Sequence, residues 1–269
     1  MDLDVALVNG LVVDGTGAPP VRSDCGVVGG RIAMVGDLSD AFASNTVDVA
    51  ELMVAPGFVD VHTHSDLAAF LEPDHDNIRL GSVRQGVTTE VSGNCGFSPF
   101  PVIPGAANTV AEYLKGIFGP PARVFPTLDE MASAVEEAGL VNNLAPLVGH
   151  NTLRSAVVGS EDRLASDVEL KVMAGLLDQA LARGAIGMST GLAYTPGNYA
   201  PSAEVAHLAR VVAAHGRIYA THMRNETDEV SGAIDEALEV AAETGVRLHL
   251  SHLKAAGRRN WGCMSEILE

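Results

Sequence analysis

The sequence predicts an α/β fold: a (β/α)8 barrel of the TIM type, with about six of its eight strands present, behind a small N-terminal β domain. Three observations lead there. From Pro56 onward, short apolar, β-rich runs alternate with helical stretches, which implies a parallel sheet. Six such units follow in line. The first run is not followed by a Gly-x-Gly-x-x-Gly turn, which disfavours a doubly wound dinucleotide-binding sheet.

The elements are expected in this order. Residues 1–56 form the β domain. Residues 5–8 read as a strand, Asn9-Gly10 as a hairpin turn and 11–14 as the returning strand. Residues 26–28, Gly29-Gly30 and 31–35 repeat the pattern; 38–43 is briefly helical, and 47–54 is another strand. Residues 57–269 form the barrel. Its strands are expected at 57–64, 87–92, 144–150, 185–190, 218–222 and 246–252, and its helices at 77–85, 129–138, 167–183, 202–215 and 231–244. Helix 167–183 shows a 3.6-residue spacing in Val168, Val172, Leu176 and Ala180; Ser166 or Asp167 can cap it, and Gly184 ends it. Residues 101–128, with five prolines, read as a long connection that shapes a site at a strand's C-terminal end. A full barrel takes about 250 residues and eight strands. Strands seven and eight are therefore expected to be missing, with the chain stopping at the start of the sixth outer helix.

Bulk properties narrow the function. The 269 residues are 47% hydrophobic, enough for a sizeable core. With 34 acids against 17 bases, the net charge of −17 repels phosphate backbones and anionic membranes, so neither nucleic acid nor membrane is expected as a partner. Three cysteines, Cys25, Cys95 and Cys263, make no disulfide framework. The acidic start Met1-Asp2-Leu3-Asp4 is no signal peptide, so the expected location is cytoplasmic.

The chemistry lies at the ends of the expected strands. Strand side chains alternate, so His62 and His64 share a face with Phe58 and Asp60, at the end where barrel active sites sit. Neutral imidazoles suit zinc and similar ions. His222 closes the fifth run with the parity of Ala220 and Ile218, and His252 the sixth with that of Leu250 and Leu248; both are expected to point inward. His249, of opposite parity, is expected to face the outer helices and is excluded as a ligand. Cys95, after the second strand in Gly93-Asn94-Cys95-Gly96, sits where glycines allow a sharp turn, and thiolate is a strong zinc ligand. Cys25 and Cys263 have no such company. No lysine ends the fourth strand, so if two ions bind, Cys95 is the candidate bridge. His150 closes the third strand with inward parity and is a candidate for a polar role. Arg154, Arg224, Lys254, Arg258 and Arg259 gather on the strand-end loops, as a carboxylate-bearing small-molecule substrate requires.

Together, Ala55-Pro56-Gly57, His62-Thr63-His64, Gly93-Asn94-Cys95-Gly96, Gly191-Leu192-Ala193-Tyr194-Thr195-Pro196-Gly197, Thr221-His222-Met223-Arg224 and Ser251-His252-Leu253-Lys254 resemble the N-acyl-D-amino-acid deacylases of the amidohydrolase superfamily across essentially the whole chain. The resemblance implies a zinc hydrolase that cleaves the amide of an N-acyl-D-amino acid. It implies a tight zinc on Cys95, His222 and His252, a second, weaker position at His62 and His64, and substrate contacts at Tyr194 and Lys254. It places the general base, an Asp ending the eighth strand, beyond Glu269; Asp60 and Asp66 are poor substitutes. Two alternatives stay open: another amidohydrolase, such as a cyclic amidase or a deaminase, or a non-catalytic truncated fragment that lacks the base.

Overall fold

The computed structural model describes residues 1–72, 75, 80–120 and 122–268. They form two compact units, Met1–Phe58 and Val59–Glu269. Among the described residues, no helix is long and apolar enough to cross a membrane.

The first unit is one sheet: β1 (Asp2–Val12), β2 (Val21–Val28), β3 (Arg31–Gly36), β4 (Phe42–Asp48) and β5 (Met53–Val54), in the order β3-β2-β1-β4 with β5 also on β1. Asn9-Gly10 does not turn the chain back. β1 runs straight through it, and the register against β2 shifts between Leu7 and Gly10, a bulge with Asn9 at φ 66°. The Asn9 amide and side chain bond Asp24 and Asp48 instead of closing a hairpin. Residues 38–43 are not helical, and Phe42 already begins β4.

The second unit is a six-stranded sheet in chain order: β6 (Phe58–Asp60), β7 (Val87–Ser92), β8 (Asn143–Gly149), β9 (Gly187–Gly191), β10 (Ile218–His222) and β11 (Arg247–Leu250). The pairings from β7 to β11 are parallel. Its helices are α1 (Ala107–Phe118), α2 (Leu128–Ala138), α3 (His150–Val157), α4 (Asp167–Ala182), α5 (Ser202–Ala214), α6 (Val230–Thr244) and α7 (Met264–Leu268). The sheet is curled. β6 and β11 end the row five spacings apart, about 24 Å if the sheet were flat. Yet His62 and His252, each two residues past its strand, stand with ring centroids 4.9 Å apart. The strands thus form a half-barrel whose C-terminal ends converge.

Packing separates two faces. Val148, Met188 and Tyr219 point outward onto Leu153, Met173, Leu177, Leu208 and Val212 of the helices. Val91, Leu147 and Ala220 cluster on the inner face. α4 begins with a capping box between Ser166 and Glu169. It buries Met173, Leu177, Ala180 and Leu181, whereas Val168 and Val172 are exposed, so the buried stripe is rotated from the one the spacing suggested. The connection 101–128 is not structureless: it holds α1, which seats Val110 and Leu114 against Phe97 and Val102. The helix expected at 77–85 lies partly outside the described residues; its described end is a 3-10 turn, Val83–Gln85.

Candidate metal centre

β6 stops at Asp60, so His62 and His64 stand on the connection beyond it rather than in the strand. Their segment is fixed to β7, because the Thr63 amide and hydroxyl both donate to the Val91 carbonyl at 3.0 Å. The His62 amide donates to Asp60 Oδ1 at 3.1 Å.

Cys95 sits in a left-handed turn after β7, at φ 54°, between Gly93 at 74° and Gly96 at 81°. The loop leaves no room for side chains: a Cβ on Gly93 would lie 2.1 Å from the Leu147 carbonyl oxygen, and one on Gly191 would lie 2.0 Å from that of Cys95. The Ser189 hydroxyl ties the loop to β9, accepting from the Gly96 amide at 2.9 Å and donating to the Gly93 carbonyl. Asn151 of α3, buried, donates to the Gly191 carbonyl at 3.1 Å.

His222 ends β10 on the inner face, in register with Gly191. His252 arrives differently. Parallel register pairs Leu248 with Tyr219 and His249 with Ala220, so Leu248 faces the helices and His249 the barrel interior, opposite to the expected alternation. His252 therefore leaves its strand with outward parity. Its backbone, at φ 36°, turns the ring back into the site. His249 lies outside the candidate ligand groups among the described residues, although it faces inward.

The result is one cluster. Cys95 Sγ lies 3.4 Å from His62 Nε2 and 3.6 Å from His252 Nε2. The ligand atoms of Cys95, His222 and His252 all fall within 4.8 Å of one another, as do those of Cys95, His62 and His64. Cys95 belongs to both sets. Burial, then the neighbouring imidazoles His252 and His64, hold His62 down at about 4. Burial lowers His222 to about 4 against the pull of Glu226, and burial with His252 lowers His64. The downward shifts favour the neutral ring, the state in which imidazole ligates. Burial, reinforced by the Glu226 charge, pushes the Cys95 thiol up to about 12, so a cation is needed to draw out the thiolate. Nitrogen and sulfur donors gathered within 4.8 Å of one another, and a buried His62 Nδ1 with no hydrogen-bond partner, fit zinc.

The other expected residues separate. Tyr194, on the loop after β9, places its hydroxyl 3.4 Å from His222 Nδ1 and its ring between Phe97 and His222. Lys254 lies 3.1 Å from His252 Nδ1. His150 opens α3 instead of closing β8 and is fully buried, its Nε2 2.8 Å from Glu204; it does not reach the cluster. Arg154 is equally buried on Glu204. Arg224 is committed to Glu236 through two nitrogens and to the Asn198 and Ala200 carbonyls, which removes it as a free carboxylate receptor. Arg259 pairs with Asp228. Asp66 is 1% exposed, and burial pushes its carboxyl up to about 7.

Glu226 was not singled out from the sequence. It stands on the loop after β10, its side chain 11% exposed, with Oε1 2.8 Å from His252 Nδ1 and Oε2 3.5 Å from His222 Nε2 and 2.5 Å from Lys254 Nζ. The one sequence signal was its place four residues past His222. Beside His64 a largely apolar groove of about 440 Å³ opens, lined by Leu67, Ala68, Leu71, Ile117 and Phe118 together with Thr63 and Ser65.

Comparison with known proteins agrees with this geometry. A model described as the amidohydrolase family matches residues 45–264. D-aminoacylase of Alcaligenes xylosoxydans xylosoxydans is 41% identical over 98% of this chain and 53% of its own length. The structure of N-acyl-D-glutamate deacylase from Bordetella bronchiseptica, complexed with zinc and a phosphonate inhibitor that mimics the tetrahedral intermediate, superimposes with a TM-score of 0.89 at 38% identity, covering 100% of this chain and 55% of that one. A D-aminoacylase structure described for its binuclear metal centre gives 0.88 at 40% identity, over 99% and 55%. The chain spans about half the length of the curated relatives it matches.

Proposed function

The chain belongs to the amidohydrolase family, and from that membership we propose that it acts as a zinc-dependent deacylase, cleaving N-acyl-D-amino acids to a carboxylic acid and a free D-amino acid. The observation that carries the reading is the convergence of Cys95, His222 and His252 at the C-terminal ends of parallel strands, with their ligand atoms within 4.8 Å. Relatives named for D-aminoacylase and N-acyl-D-glutamate deacylase activity support the substrate class. We take the half-barrel as part of a (β/α)8 barrel and residues 1–56 as its small β domain.

Cys95, His222 and His252 hold the tight ion in this reading, and His62 and His64 a second, weaker one, with Cys95 shared. When bound, zinc supplies a Lewis acid that polarises the scissile carbonyl and lowers the pKa of water toward about 7. The chain's own residues receive and orient the substrate. The Tyr194 hydroxyl, beside His222, donates to the carbonyl oxygen as negative charge grows there. Lys254, paired with Glu226 on one side, is 46% exposed and keeps a further N–H for the substrate carboxylate, with the exposed Arg258 as a second cation on the same loop. The groove beside His64 takes the acyl chain: it is apolar, and its Ser65 hydroxyl is already bonded to Glu90. No described residue is assigned the base; Asp60 holds the His62 amide and Asp66 is sealed.

The test is product analysis with the zinc-loaded protein on paired D- and L-N-acyl amino acids, cyclic ureides and aminopurines. Free D-amino acid, abolished by a chelator, supports the reading. Ring opening or ammonia release without deacylation contradicts it.

A further inference from the structure

Resting on the metal reading, we propose that Glu226 is the acceptor that fixes the His252 ring for metal binding, with Lys254 anchoring its carboxylate. His252 presents Nε2 to Cys95 Sγ at 3.6 Å, so Nε2 is the ligating atom and must carry no proton when metal is bound. The ring proton then sits on Nδ1. Two groups reach Nδ1: Lys254 Nζ at 3.1 Å and Glu226 Oε1 at 2.8 Å. An ammonium can only donate, so Lys254 partners Nδ1 only in the tautomer that blocks Nε2. Glu226 Oε1 can accept: it is a buried oxygen 2.8 Å from Nδ1 whose accepting capacity is unused, by Nδ1 or by any other described donor. Its other oxygen is held by Lys254 Nζ at 2.5 Å, so the carboxylate is anchored through one oxygen and reaches the ring with the other. Metal-ligating histidines commonly donate their second N–H to such an outer carboxylate, which sets tautomer and orientation. Glu226 is thus a positioning residue, outside the ligand groups themselves.

The experiment measures zinc affinity of the full chain by chelator competition for the native protein, Glu226→Ala and Glu226→Gln, and records long-range ¹⁵N–¹H imidazole spectra of the zinc-loaded native protein. Glu226→Ala is expected to weaken zinc about 10- to 100-fold. Glu226→Gln, whose amide oxygen accepts the same N–H, is expected to recover most of that loss. The His252 resonances should report the Nδ1–H tautomer, a readout that needs no variant to fold. Glu226→Ala within threefold of native, Glu226→Gln no better than Glu226→Ala, or an Nε2–H tautomer overturns the proposal while leaving the metal centre standing. A native chain that takes up no zinc overturns both.

Discussion

Arg154 and Glu204 form a salt bridge of 2.5 Å in which neither side chain is more than 2% exposed. The same carboxylate takes His150 Nε2 at 2.8 Å, so two side chains of α3 tie it to α5. Burial alone raises the Glu204 carboxyl; the hydrogen bond and charge of His150 and those of Arg154 outweigh it and hold it below its usual value. A carboxylate depressed in this way contributes stability that is full above its ordinary pKa, about 4.3, and is lost as pH falls through the lowered value. Glu204→Leu leaves Arg154 buried without a counter-charge and should cost about 3–5 kcal/mol. Urea melts at pH 7 and pH 4 check both points: the native protein should weaken toward acid, and the variant should lose that part of the slope.

Arg224 bridges Glu236 and the carbonyls of Asn198 and Ala200, so it braces the loop after β9. Arg224→Ala should lower the melting temperature and leave unchanged the ratio of KM values for carboxylate-bearing and uncharged amides. Lys254→Ala should shift that ratio. Steady-state kinetics on paired substrates separates the two.

Gly93 admits no side chain. Gly93→Ala meets the Leu147 carbonyl at 2.1 Å from a φ of 74° and should cost more than about 1 kcal/mol, displacing Cys95 with it. Denaturant melts of the metal-free protein measure the cost.

Ile117, in the last turn of α1, lines the groove beside His64. Ile117→Trp should raise KM for long acyl chains about tenfold, the worth of roughly two buried methylenes at ~0.8 kcal/mol each, and spare N-acetyl substrates. Equal changes for both chain lengths would place the acyl group elsewhere.

Much of this was legible in sequence because strand-end residues obey simple rules. His222 ends an alternating run, and its inward side follows from parity. His252 shows the limit of that rule: alternation put it inward for the wrong reason, since β11 is phased so that His249 faces in, and only a left-handed backbone at His252 returns the ring. No period reveals such a turn. Asn9-Gly10 has the residues of a hairpin, but Asp24 and Asp48 recruit Asn9 into a bulge, a contact made across the sheet. α1 was hidden by the prolines around it. Glu226 lies in a loop without pattern, and only the convergence of β10 and β11 brings it to His252.

The proposed site places the metal on Cys95 beside His222 and His252. X-ray absorption at the zinc edge of the loaded full chain tests it most directly. One sulfur at about 2.3 Å with nitrogen or oxygen neighbours near 2.0–2.1 Å, the sulfur vanishing in Cys95→Ser, is the expected result. A shell of nitrogen and oxygen alone, or a spectrum unchanged by Cys95→Ser, would contradict it.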